Sequence, residues 1–95
     1  MSTDPQTDIE TRRRRLRYRA WHRGTKEMDL VLGQFADARL SGADSAFLDR
    51  LEKLMDEEDT DLLAWITGQQ TVPSHIDGEL LSILRAHQQQ AAQQQ

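Results

Sequence analysis

Met28, Val31, Leu32, Phe35 and Ala38 stand three and four residues apart, with Asp29, Gln34 and Asp37 between them on the opposite side. That is the spacing of one apolar helix face. The same rhythm returns elsewhere, and no segment alternates with the period of two that a half-buried strand needs. A chain of 95 residues has room for one domain. The pattern therefore predicts an all-α fold, a small single-domain five-helix bundle.

The breaks between helices are written in residue chemistry. A first helix is expected from Asp8 to His22 or Arg23, with Ile9, Leu16 and Ala20 on one stripe and Tyr18 and Trp21 projecting elsewhere. Gly24 stops it, because glycine adopts a left-handed backbone at a helix end without a Cβ penalty, and Thr25 is the expected N-cap of the second. Ser41-Gly42 ends helix two near Leu40. Helix three carries Phe47, Leu48, Leu51, Leu54 and Met55, capped by Asp44 or Ser45. The acidic cluster Asp56, Glu57, Glu58, Asp59 and Asp61 reads as an exposed connection whose last members favour the start of helix four through the macrodipole. Helix four holds Leu62, Leu63, Trp65 and Ile66 and is closed by Gly68; Trp65 reads as core. After Val72-Pro73, Ser74 and Asp77 signal a fifth helix with Ile76, Leu80, Leu81, Ile83 and Leu84 on its apolar side. Residues 1–7 and the Gln-rich tail 89–95 are expected to be disordered, leaving 8–88 as the folded domain.

Charge is divided along the chain. Arg12, Arg13, Arg14, Arg15, Arg17, Arg19, Arg23 and Lys26 are eight of the twelve basic residues, with no acid among them. From Glu27 onward four basic residues face thirteen acidic ones. Four consecutive arginines on a helix point in four directions, so they wrap the rod instead of lining one groove. Nucleic-acid binding ordinarily uses a basic domain, and the sequence pI here is about 5.2. A small Arg-rich nucleic-acid module remains one alternative reading, and a generic helical protein–protein adaptor another.

Other chemistry is poorly supplied. There is no cysteine, and His22, His75 and His87 fall in separate segments without helical metal-ligand spacing. No phosphate-binding glycine loop or nucleophile elbow is present, so no enzyme, no catalytic residue and no metal site is expected. No apolar run approaches the roughly 20 residues that span a bilayer, and acids at Asp4, Asp8 and Glu10 argue against a secretory or mitochondrial leader. The expectation is a bacterial cytoplasmic protein with no membrane insertion.

Taken alone, the segment Arg23-Gly24-Thr25-Lys26-Glu27 has ordinary structural jobs: a cation at a helix end, a glycine stop, an N-cap and an acid in the first turn. Together with Asp29, with Asp59, Asp61, Leu62 and Trp65 at the head of the fourth helix, and with Pro73 before the last, it resembles the succinate dehydrogenase FAD-assembly factor family. These are small flavinylation factors of bacteria and mitochondria with an Arg-Gly-x-x-Glu signature between the first two helices. The resemblance covers roughly Arg17 to Leu84. A denser arginine run, a slightly longer acidic connection and the glutamine tail set this chain apart. The resemblance implies an assembly factor, monomeric when free, that binds the flavoprotein subunit of succinate dehydrogenase and also admits that of fumarate reductase. It implies partner-binding roles for Arg23, Gly24, Glu27, Asp29 and Arg19. Arg23 would offer its donor fork to the partner, and Glu27 would either hold Arg23 or accept a hydrogen bond from the partner. No cofactor is expected to be bound tightly, the FAD belonging to the partner.

Overall fold

The computed structural model describes the backbone of residues 5–93 and the side chains of 8–90. Five helices follow in order: α1 Pro5–Trp21, α2 Lys26–Arg39, α3 Ser45–Met55, α4 Asp59–Ile66 and α5 Gly78–Gln93. Helix α1 lies against α2 and α3, α5 against α2 and α4. The all-α bundle read from the sequence is the fold observed.

The apolar stripes meet in one core. Leu16 and Ala20 enter from α1, Met28, Val31, Leu32 and Phe35 from α2, and Leu48, Leu51, Leu54 and Met55 from α3. Leu62, Trp65 and Ile66 of α4 and Leu80, Leu81 and Leu84 of α5 close it. Phe35 is fully enclosed, and no polar or charged residue is buried among the described residues. Ala38, expected on the apolar face of α2, is exposed; Gly33 and Ala36 are buried there instead. The stripe on α2 thus turns toward α1, which needs small residues for close approach.

The caps are mostly where the sequence puts them. Thr25 accepts a hydrogen bond from the Met28 N–H at 3.2 Å, and Asp44 one from the Phe47 N–H at 2.8 Å. Several boundaries differ. Helix α1 begins at Pro5, so residues 5–7 are helical, while residues 1–4 lie outside the described residues. It ends at Trp21, ahead of His22. Helix α5 starts at Gly78, and Asp77 alone caps it, accepting from the Leu80 N–H at 3.0 Å. Ser74 lies in the preceding turn and Ile76 packs on the core from there. The helix continues to Gln93, past the expected boundary at 88, because nothing in Gln88–Gln93 interrupts a helix already nucleated. Asp59 and Asp61 belong to α4 itself, so the link after α3 is only 56–58.

A bidentate pair ties α3 to the head of α5: Arg50 Nε and Nη2 donate to Asp77 at 2.6 and 3.0 Å. The Arg50 hydrogen bonds hold the Asp77 carboxyl below its ordinary value; partial burial opposes them and the Leu80 N–H adds to them. A carboxylate with a depressed folded-state value contributes stability that is fully present above its unfolded value, about pH 4, and lost as the pH falls through the folded value. Asp77→Asn should therefore melt below wild type at pH 7. The two melting temperatures should converge as the pH drops below about 4; a gap that persists unchanged at pH 2 would show that the ionised pair contributes nothing.

Candidate protein-docking site at the α1–α2 turn

The turn between α1 and α2 is built from its own carboxylate. Asp29, on the first turn of α2, reaches back and accepts from the backbone N–H groups of Arg23 and, at 3.3 Å, Gly24. Neither N–H finds a backbone acceptor among the described residues, so Asp29 satisfies donors that the turn would otherwise leave open. Gly24 takes φ +111°, and apart from its two chain neighbours no described residue has a heavy atom within 4 Å of where a Cβ would project. Its backbone is therefore presented bare to solvent at the crest of the turn.

Arg23 points the other way. Its side chain is only 12% exposed. Nη1 donates to the Met55 carbonyl at 2.7 Å, Nη2 to the Glu57 carbonyl at 3.1 Å, and Nε to Asp59 Oδ1 at 2.8 Å. The planar fork spans the end of α3, the link and the start of α4, a three-acceptor task that suits guanidinium geometry. The expectation that this fork is offered to a partner does not fit the geometry, since the fork is occupied within the chain. Nor does Glu27 hold Arg23; Asp29 holds its backbone and Asp59 its side chain. Glu27 and Lys26 are exposed and make no ion pair among the described residues. Arg19 is exposed and reaches Asp56 at 3.2 Å, an ion pair worth little in water. Of the five residues singled out, Arg23 and Asp29 build the turn, while Gly24, Glu27 and Arg19 face outward.

Three neighbours complete the outward surface. Tyr18 and Leu30 are the exposed large apolar residues of the described chain, at 65% and 40%, and they flank the turn from α1 and α2. His22 stacks on Tyr18 with ring centroids 4.0 Å apart and shares a 2.7 Å contact between Nδ1 and the Tyr18 carbonyl. A shallow depression lined by Trp21, His22, Gly24, Lys26, Asp29 and Leu30 runs between the helices. Leu30 and His22 were not singled out from the sequence. The available signal was register: Leu30 is apolar yet off the stripe of α2, as Tyr18 is off that of α1.

Beneath this surface, Trp21 lies flat on Gly33 of α2, and its Nε1–H donates to Asp37 at 3.2 Å. A Cβ on Gly33 would fall 2.2–2.5 Å from the indole ring carbons. Gly33→Ala should lower stability by about 1–2 kcal/mol, overpacking of roughly 1–3 kcal/mol being partly offset by the better helix propensity of alanine. The indole N–H resonance of Trp21 should shift as the ring leaves Asp37. An unchanged melting temperature with an unmoved resonance would contradict this seat.

Most of the arginine run is used internally. Arg12 reaches Asp49 at 2.7 Å and Glu52 at 2.6 Å, Arg13 donates to the Ala43 carbonyl, and Arg17 pairs with Asp37 at 2.6 Å. These contacts fasten α1, whose described apolar contribution to the core is Ile9, Leu16 and Ala20, across α3 and α2. No group of three or more potential metal ligands occurs among the described residues, and none of their helices is long and apolar enough to cross a membrane.

Residues 14–88 match the family model described as flavinator of succinate dehydrogenase. The chain belongs to this family. It is 35% identical over 66 residues to the FAD assembly factor SdhE of Acetobacter pasteurianus, covering 70% of this chain and 61% of that one. It is 40% identical over 65 residues to the mitochondrial succinate dehydrogenase assembly factor 2 of Mycosarcoma maydis, covering 68% and 27%. A third relative, the Dictyostelium discoideum mitochondrial assembly factor 2, is 31% identical over 81 residues, covering 85% and 57%. The matches thus span less than two thirds of these relatives' own length. No solved structure matches significantly. The family match takes in the whole α1–α2 turn and the α3–α4 link that Arg23 fastens.

Proposed function

We propose that this chain is a non-catalytic assembly factor that binds the flavoprotein subunit of succinate dehydrogenase and promotes its covalent attachment to FAD. The flavoprotein of fumarate reductase is a second client of the same kind. The observation that carries this reading is the bare Gly24 backbone at φ +111°, set between exposed Tyr18 and Leu30 and beside exposed Glu27. Membership of the family supports a succinate dehydrogenase flavoprotein as the partner.

The chain works by selective binding. Attaching the flavin is chemistry carried out inside the flavoprotein, between the cofactor and a histidine there. The factor favours the partner conformation in which those groups are aligned, which raises the rate by positioning. A ligand can shift such an equilibrium only by its difference in affinity for the two states, so a rigid docking surface is an asset. The Asp29 and Arg23 contacts supply that rigidity. Gly24 permits close backbone approach, and Glu27 offers a carboxylate to donors on the partner. The factor acts as a monomer and holds no FAD tightly itself.

Deleting the gene should leave the flavoprotein subunit synthesised but poorly flavinylated, read by in-gel flavin fluorescence against an immunoblot. Normal fluorescence per subunit in the deletion strain, restored by no plasmid because none was lost, would overturn the reading.

A further inference from the structure

The structure divides the arginine run in a way that its sequence conceals. Arg12 and Arg13 turn inward to α3 and the Ala43 carbonyl, and Arg17 and Arg19 pair with Asp37 and Asp56. The side chains of Arg14 and Arg15 are exposed and make no hydrogen bond or ion pair among the described residues. On the helix they stand four and three residues before Tyr18, which stands four before His22. At 100° per residue Arg14, Arg15 and Tyr18 share the face opposite Leu16 and Ala20, the residues that enter the core. His22, just past the end of α1, continues this stripe by stacking on Tyr18, and the stripe leads toward the bare Gly24 backbone.

We infer that this stripe, Arg14, Arg15, Tyr18 and His22, docks an acidic surface of the flavoprotein and extends the contact made at the turn. The inference rests on the function proposed above and adds the chemistry of the partner's facing surface. Two unneutralised guanidinium groups are held in place by a rigid helix, and each can take a carboxylate in a bidentate pair. Tyr18, mostly exposed and stacked on His22, provides a flat anchor beside them, and tyrosine and arginine are the residue types that dominate interface energetics. Continuity with the turn gives the stripe the same occupant as the turn.

A nucleic acid suits this surface less well. Two free arginines would neutralise about two phosphates, far fewer than the roughly 6–10 contacts of a firm complex.

The test uses the full chain and purified flavoprotein subunit, with association and dissociation followed by surface plasmon resonance at low and physiological salt. Arg14→Glu/Arg15→Glu should associate at least tenfold more slowly at low salt, with dissociation changed much less, and its rate should lose most of the wild-type salt dependence. Arg14→Gln/Arg15→Gln should fall between the two. Both variants should melt within a degree or two of wild type, since neither arginine is used in the fold. Tyr18→Ala should act on dissociation instead. If wild type binds and both double variants bind at its rate, the stripe is not part of the interface while the turn still is. If wild type does not bind the flavoprotein, this inference and the proposed function fall together. If charge reversal abolishes binding to duplex RNA or to phosphatidylserine-containing vesicles and leaves flavoprotein kinetics unchanged, the stripe belongs to another ligand and the inference is wrong.

Discussion

Gly24→Arg should fold and yet fail to bind the flavoprotein subunit. Two separate costs arise at this position. The first is backbone strain: φ is +111°, a region that L side chains rarely adopt, and any substitution there costs about 1–2 kcal/mol. The second is steric and falls only on the complex. Because no described residue other than its two chain neighbours has a heavy atom within 4 Å of a Cβ at Gly24, an arginine side chain projects into open space in the free protein and stands in the path of an approaching partner. Gly24→Ala separates the two, since it carries the strain and adds only a methyl group. Both variants should melt several degrees below wild type, a loss of about 1 kcal/mol moving a domain of this size by roughly 4–8 °C. Alanine should keep partial binding in a pull-down, and arginine should lose it. Wild-type binding by a folded arginine variant would reduce Gly24 to a helix stop.

Arg23→Ala should do the opposite: damage the fold first and binding as a consequence. The substitution leaves the Met55 and Glu57 carbonyls and the Asp59 carboxylate without their donor. Removing one partner of a buried pair costs roughly 3–5 kcal/mol, and each orphaned polar group about 1–3 kcal/mol. Asp59 is still 23% exposed, so water recovers part of this, and the expected loss is about 2–4 kcal/mol. Arg23→Lys should be intermediate, because one ammonium cannot serve three acceptors in a plane. Glu27→Ala is the complementary change. Glu27 is exposed and unpaired among the described residues, so stability should move by less than about 0.5 kcal/mol while affinity for the flavoprotein falls. Chemical denaturation beside a binding isotherm checks all three. Arg23→Ala at wild-type stability but without binding would return its guanidinium to the interface.

These outcomes bear on what the sequence could show. The apolar periodicity of α2, α3 and α5 is strong because each helix buries one face in a single core, so Phe35, Leu48, Leu51, Leu80 and Leu84 were legible as core positions. Trp65 was legible for the same reason. Helix ends were legible where one residue type does one job, as at Thr25, Gly24 and Asp44. They were less so at α5, where Ser74 and Asp77 are both competent caps and only packing of the 72–77 turn selects Asp77. The candidate site was legible only in part. The family resemblance pointed to Arg23, Gly24, Glu27 and Asp29, but a motif along a chain says nothing of direction. The three acceptors of Arg23 lie 32 to 36 residues away, beyond any local pattern. The split of the arginine run was hidden likewise, since consecutive arginines are chemically identical and only the neighbouring helices tell Arg12 from Arg15.

Reconstitution addresses the central claim most directly. Purified flavoprotein subunit lacking covalent flavin is incubated with FAD, alone, with this chain, or with its Gly24→Arg variant, and covalent flavin is followed by in-gel fluorescence. The account predicts faster flavinylation with the wild-type chain and a rate with Gly24→Arg no better than FAD alone. Equal rates in all three incubations, or full stimulation by the arginine variant, would contradict it.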